Sequence, residues 1–289
     1  MKKVAFVIYR EWAHEIYKNI YEFQKENPNF EISVLITTKE REFPVDYNQS
    51  LPKVYEINGK DNEKIDSILS GCGVDVVFYY GWSWIVKEPI LSKYTCLCLH
   101  PSPLPRYRGG SPIQNQIIAG ETISAVSIFK MGEGLDDGDI YSQLPMSLDG
   151  ELKDIFERMI SLGTDITKNF IIDLIDDNIT FAPQKLLEEN PPLKRRKPED
   201  GELLLQNIEK MKFKEFYNIV RALADPYPNA YINFNDKKIL LKRVGSCNEV
   251  GENGVVLNVQ PGLVSPEKGN PFYVKLLDCY ALITAYRVE

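Results

Sequence analysis

The 289 residues are 44% hydrophobic and 26% charged, a balance that suits a globular chain with an ample core rather than a disordered or membrane one. A net charge of −7 argues against a surface built to neutralise nucleic-acid phosphates, and no run reaches the roughly 18 to 20 apolar residues of a spanning helix. Five scattered cysteines (72, 96, 98, 247 and 279) form no disulfide framework and suit a reducing compartment.

Residues 4–9 read as an apolar strand, which Arg10 and Glu11 end too early for a secretory core, so a cytoplasmic location is expected. A helix over 12–25, a strand over 31–37, a helix over 63–69 and strands over 74–80 and 95–100 follow. Near-continuous apolar strands alternating with helices predict an α/β fold, a Rossmann-like and mostly parallel sheet with ligands at the carboxyl ends of its strands. Beyond it come a helix over 112–119, strands over 124–131 and 139–147 on either side of an acidic loop, and a long amphipathic helix over 152–176. Residues 186–200, with Pro191, Pro192 and the basic run 194–197, have the composition of an exposed connection. A helix over 213–224 and five short strands (230–234, 238–244, 254–259, 273–277 and 281–286) predict a small OB-like β-barrel. The expected division is a domain over 1–190, a linker over 191–200 and a barrel domain over 201–289. Neither G-x-x-x-x-G-K-[ST] nor G-x-G-x-x-G occurs, so a nucleotide would be held by other means.

A base that titrates near neutrality has two candidate positions, His14 and His100. His100 ends an apolar strand and opens the run Pro101-Ser102-Pro103-Leu104-Pro105-Arg106-Tyr107-Arg108-Gly109-Gly110; Gly134-Leu135-Asp136-Asp137-Gly138-Asp139 answers it roughly 25 residues later. Strand alternation puts Cys96, Cys98 and His100 on one face. That face admits a Cys98–His100–Asp136 nucleophilic triad working through a thioester, a Cys/Cys/His metal site, or plain space-filling thiols. No metal is assigned, because same-face neighbours on a strand lie roughly 7 Å apart and no fourth ligand is at hand. Asp137 and Asp139 compete with Asp136 in the loop as residues that satisfy turn amides.

The two segments resemble the signature of the folate-dependent formyltransferases, the family that takes in glycinamide ribonucleotide, methionyl-tRNA and nucleotide-sugar N-formyltransferases. In that family an Asn-x-His ends a strand, an S-L-L-P-x-Y-R-G-like run follows, and an L-D-x-G-D loop supplies the partner aspartate. His100 and Asp136 fall on the two catalytic positions, whereas the asparagine position holds Cys98, a weaker donor toward an oxyanion. Arg195-Arg196-Lys197-Pro198-Glu199-Asp200-Gly201 and Arg221-Ala222-Leu223-Ala224-Asp225-Pro226-Tyr227-Pro228-Asn229-Ala230 are similar to segments of the UDP-4-amino-4-deoxy-L-arabinose formyltransferases.

The resemblance implies N10-formyltetrahydrofolate as formyl donor and a nucleotide-linked deoxyamino sugar (UDP or dTDP) as acceptor, for surface-glycan synthesis. Tyr80, Gly81, Trp82, Trp84, Ile85 and Val86, with Met131, Gly132 and Gly134, correspond to the pterin pocket, though core packing would explain the aromatic residues equally well. On the acceptor side stand Tyr9, Arg10, Ser102, Arg106, Tyr107, Arg108, Gly109, Gly110, Arg195, Arg196 and Tyr227; guanidinium forks suit a pyrophosphate, while a solvated linker face is the plain alternative for Arg195 and Arg196. The acidic balance disfavours the rival substrate, a methionyl-tRNA, and the missing asparagine leaves a catalytically degenerate binding protein as the other rival. Neither nucleic acid nor membrane is expected as a partner, and a barrel edge or the helix near Phe213 could pair two subunits as a homodimer.

Overall fold

The computed structural model describes residues 1–44, 52–186, 191–247, 255–257 and 272–289, which fall into two compact units. The first comprises 1–112, 123–147 and 153–193; the second comprises 113–122, 148–152 and 194–289.

In chain order the elements begin with β1 (Lys2–Ile8), α1 (Glu11–Glu26), β2 (Phe30–Thr38), β3 (Lys53–Ile57), α2 (Asn62–Cys72), β4 (Val76–Tyr80), α3 (Glu88–Lys93) and β5 (Thr95–His100). Then come α4 (Pro112–Ile118), β6 (Ile123–Lys130), β7 (Ile140–Ser147) and α5 (Leu152–Ile175). A seven-stranded sheet runs β3-β2-β1-β4-β5-β6-β7. Its first five strands pair in parallel, and β6 and β7 join antiparallel.

The physical cause lies in the strand sequences: Val4 to Ile8 and Val76 to Tyr80 are buried throughout, as strands covered on both faces must be. α1 lays Ala13, Ile16, Tyr17 and Ile20 on the sheet, and α5 lays down Ile155, Met159, Ile166 and Phe170. Two elements carry no strong apolar signal. Strand β3 (KVYEI) is an edge strand with Lys53 and Glu56 exposed, and α3 has six residues, too short for a periodic stripe. In register, Ile8 pairs with Tyr80 and Tyr80 with Leu99, so Tyr9, Gly81 and His100 leave their strands side by side.

The second unit holds a 3-10 turn (Pro198–Gly201), α6 (Leu205–Ile208), α7 (Phe213–Ala222), β8 (Tyr231–Phe234), β9 (Lys237–Cys247), β10 (Val255–Leu257), β11 (Phe272–Lys275) and β12 (Tyr280–Val288). The order β10-β11-β12-β9-β8 makes a curled half-barrel, antiparallel except between β10 and β11. Residues 254, 258 and 259 of the expected strand lie outside the described residues. Phe216 and Val220 of α7 pack with Ile232, Leu241, Phe272 and Ile283. Arg221, 8% exposed, donates to the carbonyls of Leu148 and Gly150 at 2.7 Å, tying 148–152 into this unit.

Candidate active site

His100 closes β5 at the carboxyl edge of the sheet and is 6% exposed. Its Nε2 lies 2.9 Å from the Tyr107 carbonyl and therefore carries the hydrogen; its Nδ1 faces Asp136 Oδ2 at 3.5 Å. The same carboxylate oxygen accepts from the Gly109 N–H at 2.8 Å. One acid thus faces the ring and fastens the His100 loop to the acid loop. Tyr107 (φ 58) and Asp136 (φ 51) both occupy the left-handed region, backbone that non-glycine residues adopt only when their surroundings enforce it.

Around Tyr107 the loop is braced by side-chain hydrogen bonds to its carbonyls. Ser102 Oγ donates to the Arg106 carbonyl at 2.8 Å, Ser127 Oγ to the Ser102 carbonyl at 2.6 Å, and Gln143 Nε2 to the Leu104 carbonyl at 3.0 Å. Expected among the substrate contacts, Ser102 is instead fully buried and braces the loop from within. Gly109 (φ 90) lies so close to Leu193 that a Cβ would sit 2.4 Å from its carbonyl oxygen, and Gly110 N donates to that oxygen at 2.8 Å. In the acid loop the Asp137 carboxylate folds over Gly134, where a Cβ would meet Oδ2 at 1.7 Å, which leaves Asp136 as the acid that faces His100. Gln184 Nε2 donates to the carbonyls of Asp136 (3.1 Å) and Gly138 (2.7 Å). Gln143, Gln184 and Ser127 carry no local sequence signal, because what they hold lies 16 to 48 residues away.

Cys98 is half-buried and Cys96 is packed in the core with Val77, Tyr79 and Ile90. Burial first, and the Asp136 charge second, push the Cys98 thiol well above the ordinary range; burial pushes Cys96 up to about 12. Both shifts favour the neutral thiol, which argues against the thiolate that a nucleophilic triad requires. Among the described residues no group of three histidines, cysteines or acids could hold a metal.

At the pterin-pocket positions the rings pack on one another. Trp82 lies edge-on to Tyr9 (6.2 Å) and tilted on Trp84 (4.8 Å), and the Trp84 ring covers Gly59. Tyr80 turns inward, its hydroxyl 2.9 Å from Thr167 on α5, and Val86 belongs to the core, so their side chains serve the fold while Ile85 is 85% exposed. Among the described residues the buried Trp82 indole N–H has no hydrogen-bond partner. Gly81 (φ 64) lets the chain turn beside Arg10. Met131 N–H is spent on the Cys96 carbonyl (2.8 Å), so a ligand here would use main-chain groups from Gly132 onward.

Tyr9 hydrogen-bonds Ser83 at 2.5 Å, and Arg10 pairs with Glu42 while stacking over the Tyr9 ring at 4.6 Å. Arg106 stacks on the Tyr107 ring, and Arg108 is 8% exposed. Arg195, Arg196 and Tyr227 belong to the second unit; there Arg196 donates to Asn115 Oδ1 at 2.8 Å, its guanidinium pKa lowered by burial.

Residues 12–162, just over half of the chain, match the formyl transferase family model. The chain belongs to that family. A methionyl-tRNA formyltransferase of Rickettsia canadensis is 30% identical over 198 residues, 64% of this chain and 60% of its own length. Among solved structures, the methionyl-tRNA formyltransferase from Clostridium thermocellum is 25% identical, with a TM-score of 0.62 over 85% of this chain and 93% of its own. The N-formyltransferase from Helicobacter canadensis, solved with folinic acid and dTDP-3-aminofucose, shares the fold at 17% identity, with a TM-score of 0.67 over 99% of this chain and 100% of its own.

Proposed function

We propose that the chain moves the formyl group of N10-formyltetrahydrofolate to the amine of a UDP- or dTDP-linked deoxyamino sugar. The observation that carries formyl transfer is the His100 ring held between the Tyr107 carbonyl and the Asp136 carboxylate at the carboxyl edge of the sheet. The reaction requires a neutral amine to attack the formyl carbon, an oxyanion to be stabilised, a proton to leave the new ammonium, and the bond to N10 to break. With Nε2 committed to Tyr107, Nδ1 is the nitrogen that takes or returns the proton, and the Asp136 charge stabilises the imidazolium as it forms. Cys98 serves as a neutral thiol on the His100 face of β5 and a weak oxyanion donor. The unpartnered Trp82 N–H and the main chain from Gly132 suit the pterin edge.

The sugar acceptor is supported by the net charge of −7, which an anionic tRNA would meet unfavourably. The identity to methionyl-tRNA formyltransferases favours a second reading, in which methionyl-tRNA is the acceptor. A single assay separates them: loss of formyl from N10-formyltetrahydrofolate against a panel of UDP- and dTDP-amino sugars and, in parallel, charged initiator tRNA. Turnover that needs a sugar and vanishes in His100→Ala supports the proposal. Turnover with tRNA alone transfers it to the second reading, and folate binding without turnover makes the chain a degenerate binder.

A further inference from the structure

The acid loop is held from outside as well as from within. After α5 the chain returns along β7, where Ala182 and Ile140 exchange two main-chain hydrogen bonds of 2.8 Å each. Two residues later Gln184 reaches over the loop, and its Nε2 donates to both the Asp136 and the Gly138 carbonyls. The orientation of this amide is unambiguous, since the reverse would aim its oxygen at two carbonyl oxygens. Among the described residues its buried Oε1 has no hydrogen-bond partner, so the hydrogen bonds that place the side chain there are the two it donates. Those bonds act on the peptide of a residue with φ 51, a conformation that a non-glycine residue keeps only where its surroundings hold it.

We propose that Gln184 is a positioning residue for the His100–Asp136 pair: by bridging the Asp136 and Gly138 carbonyls it holds the left-handed turn that aims the Asp136 carboxylate at His100 Nδ1 and the Gly109 N–H. Release of this bridge lets Asp136 relax toward ordinary backbone, and a carboxylate already 3.5 Å from the ring then loses it. The loop has other anchors, in the Ala182–Ile140 pair and in the Asp139 carbonyl that accepts from Lys130 N at 2.8 Å, so loss of the amide misaims Asp136 without unfolding the loop.

The inference rests on the proposed formyl transfer, and the test includes a readout that does not. Gln184→Met keeps the length without donors; Gln184→Glu keeps the shape and regains one donor when protonated; Lys185→Met, at an exposed neighbour, is the control. Kinetics are measured from about pH 6 to pH 8, with melting temperatures and the ring 15N signals of His100, distinguished from His14 by His14→Gln. Gln184→Met is expected to lower kcat about 10- to 100-fold, with both KM values within about threefold and the His100 ring signals displaced. Gln184→Glu should match that loss at the upper pH and recover as the pH falls, while Lys185→Met matches wild type throughout. A Gln184→Met kcat within about twofold of wild type, or a loss of kcat with unmoved His100 signals and no pH-dependent recovery in Gln184→Glu, overturns the proposal. Should the wild type transfer no formyl group at all, the functional reading fails separately, and the His100 signals decide: displacement in Gln184→Met supports the bridge, and no displacement refutes it.

Discussion

At the scale of single residues, the site is a histidine whose two ring nitrogens face a carbonyl and a carboxylate. Replacement of His100 by alanine removes the proton carrier and should lower kcat/KM by about 100-fold or more, measured as sugar-dependent formyl release. Cys98→Ala should stay within about fivefold of wild type, since a buried neutral thiol is a weak donor. Cys98→Asn should raise the rate, because a carboxamide supplies the oxyanion with a donor of the kind whose removal elsewhere costs about 3 kcal/mol. A Cys98→Ala variant as inactive as His100→Ala would restore the covalent route. The thiol shifts have a direct consequence: Cys96 and Cys98 both stay protonated above the pH at which an ordinary thiol ionises. Alkylation at about pH 8, mapped by mass spectrometry, should therefore be slow at Cys96 and Cys98. His100 and Asp136 were legible through the resemblance of the short motifs that hold them to a family pattern, which chose Asp136 over Asp137 and Asp139. Gln184 was not, because its two partners are 48 and 46 residues away and glutamine beside proline has no distinctive pattern.

At the scale of elements, the glycines of the His100 and acid loops answer to steric necessity. Gly109→Ala would force a Cβ onto the Leu193 carbonyl at φ 90, and should destabilise the first unit by about 2 kcal/mol or more in denaturant unfolding. The start of α1 carries a pH dependence. His14 stacks flat on Phe43, with centroids 4.1 Å apart, and burial above all, helped by Lys18, lowers its pKa from 6.5. The unfolded chain then binds a proton that the folded chain resists, so stability falls as the pH drops below about 6.5. His14→Gln should remove that part of the loss between about pH 7.5 and pH 5.5, read from denaturation midpoints; an equal slope in both proteins would refute the assignment. The apolar strands and long helices were legible by their period. β3 and α3 were not, the first because an edge strand is half polar and the second because six residues hold less than two turns.

At the scale of the whole molecule, the net charge of −7 bears on the acceptor. Binding to initiator tRNA should be weak and should fade steeply with added salt, whereas turnover with an amino-sugar nucleotide should vary far less; tight tRNA binding that persists at moderate salt would reverse the choice of acceptor. The chain by itself determined the α/β class, the succession of buried strands and the mostly parallel sheet, because hydrophobic period and turn residues are local properties; the pairing of His100 with Asp136 was legible only through the resemblance of two short motifs to a known family. Tertiary structure alone decided that β6 and β7 run antiparallel, that 113–122 and 148–152 join the C-terminal unit, that Ser102 and Tyr80 face inward, and that Gln184 holds the aspartate. Those outcomes depend on which distant backbone groups come to lie within about 3 Å of one another, and only the packed chain fixes such distances.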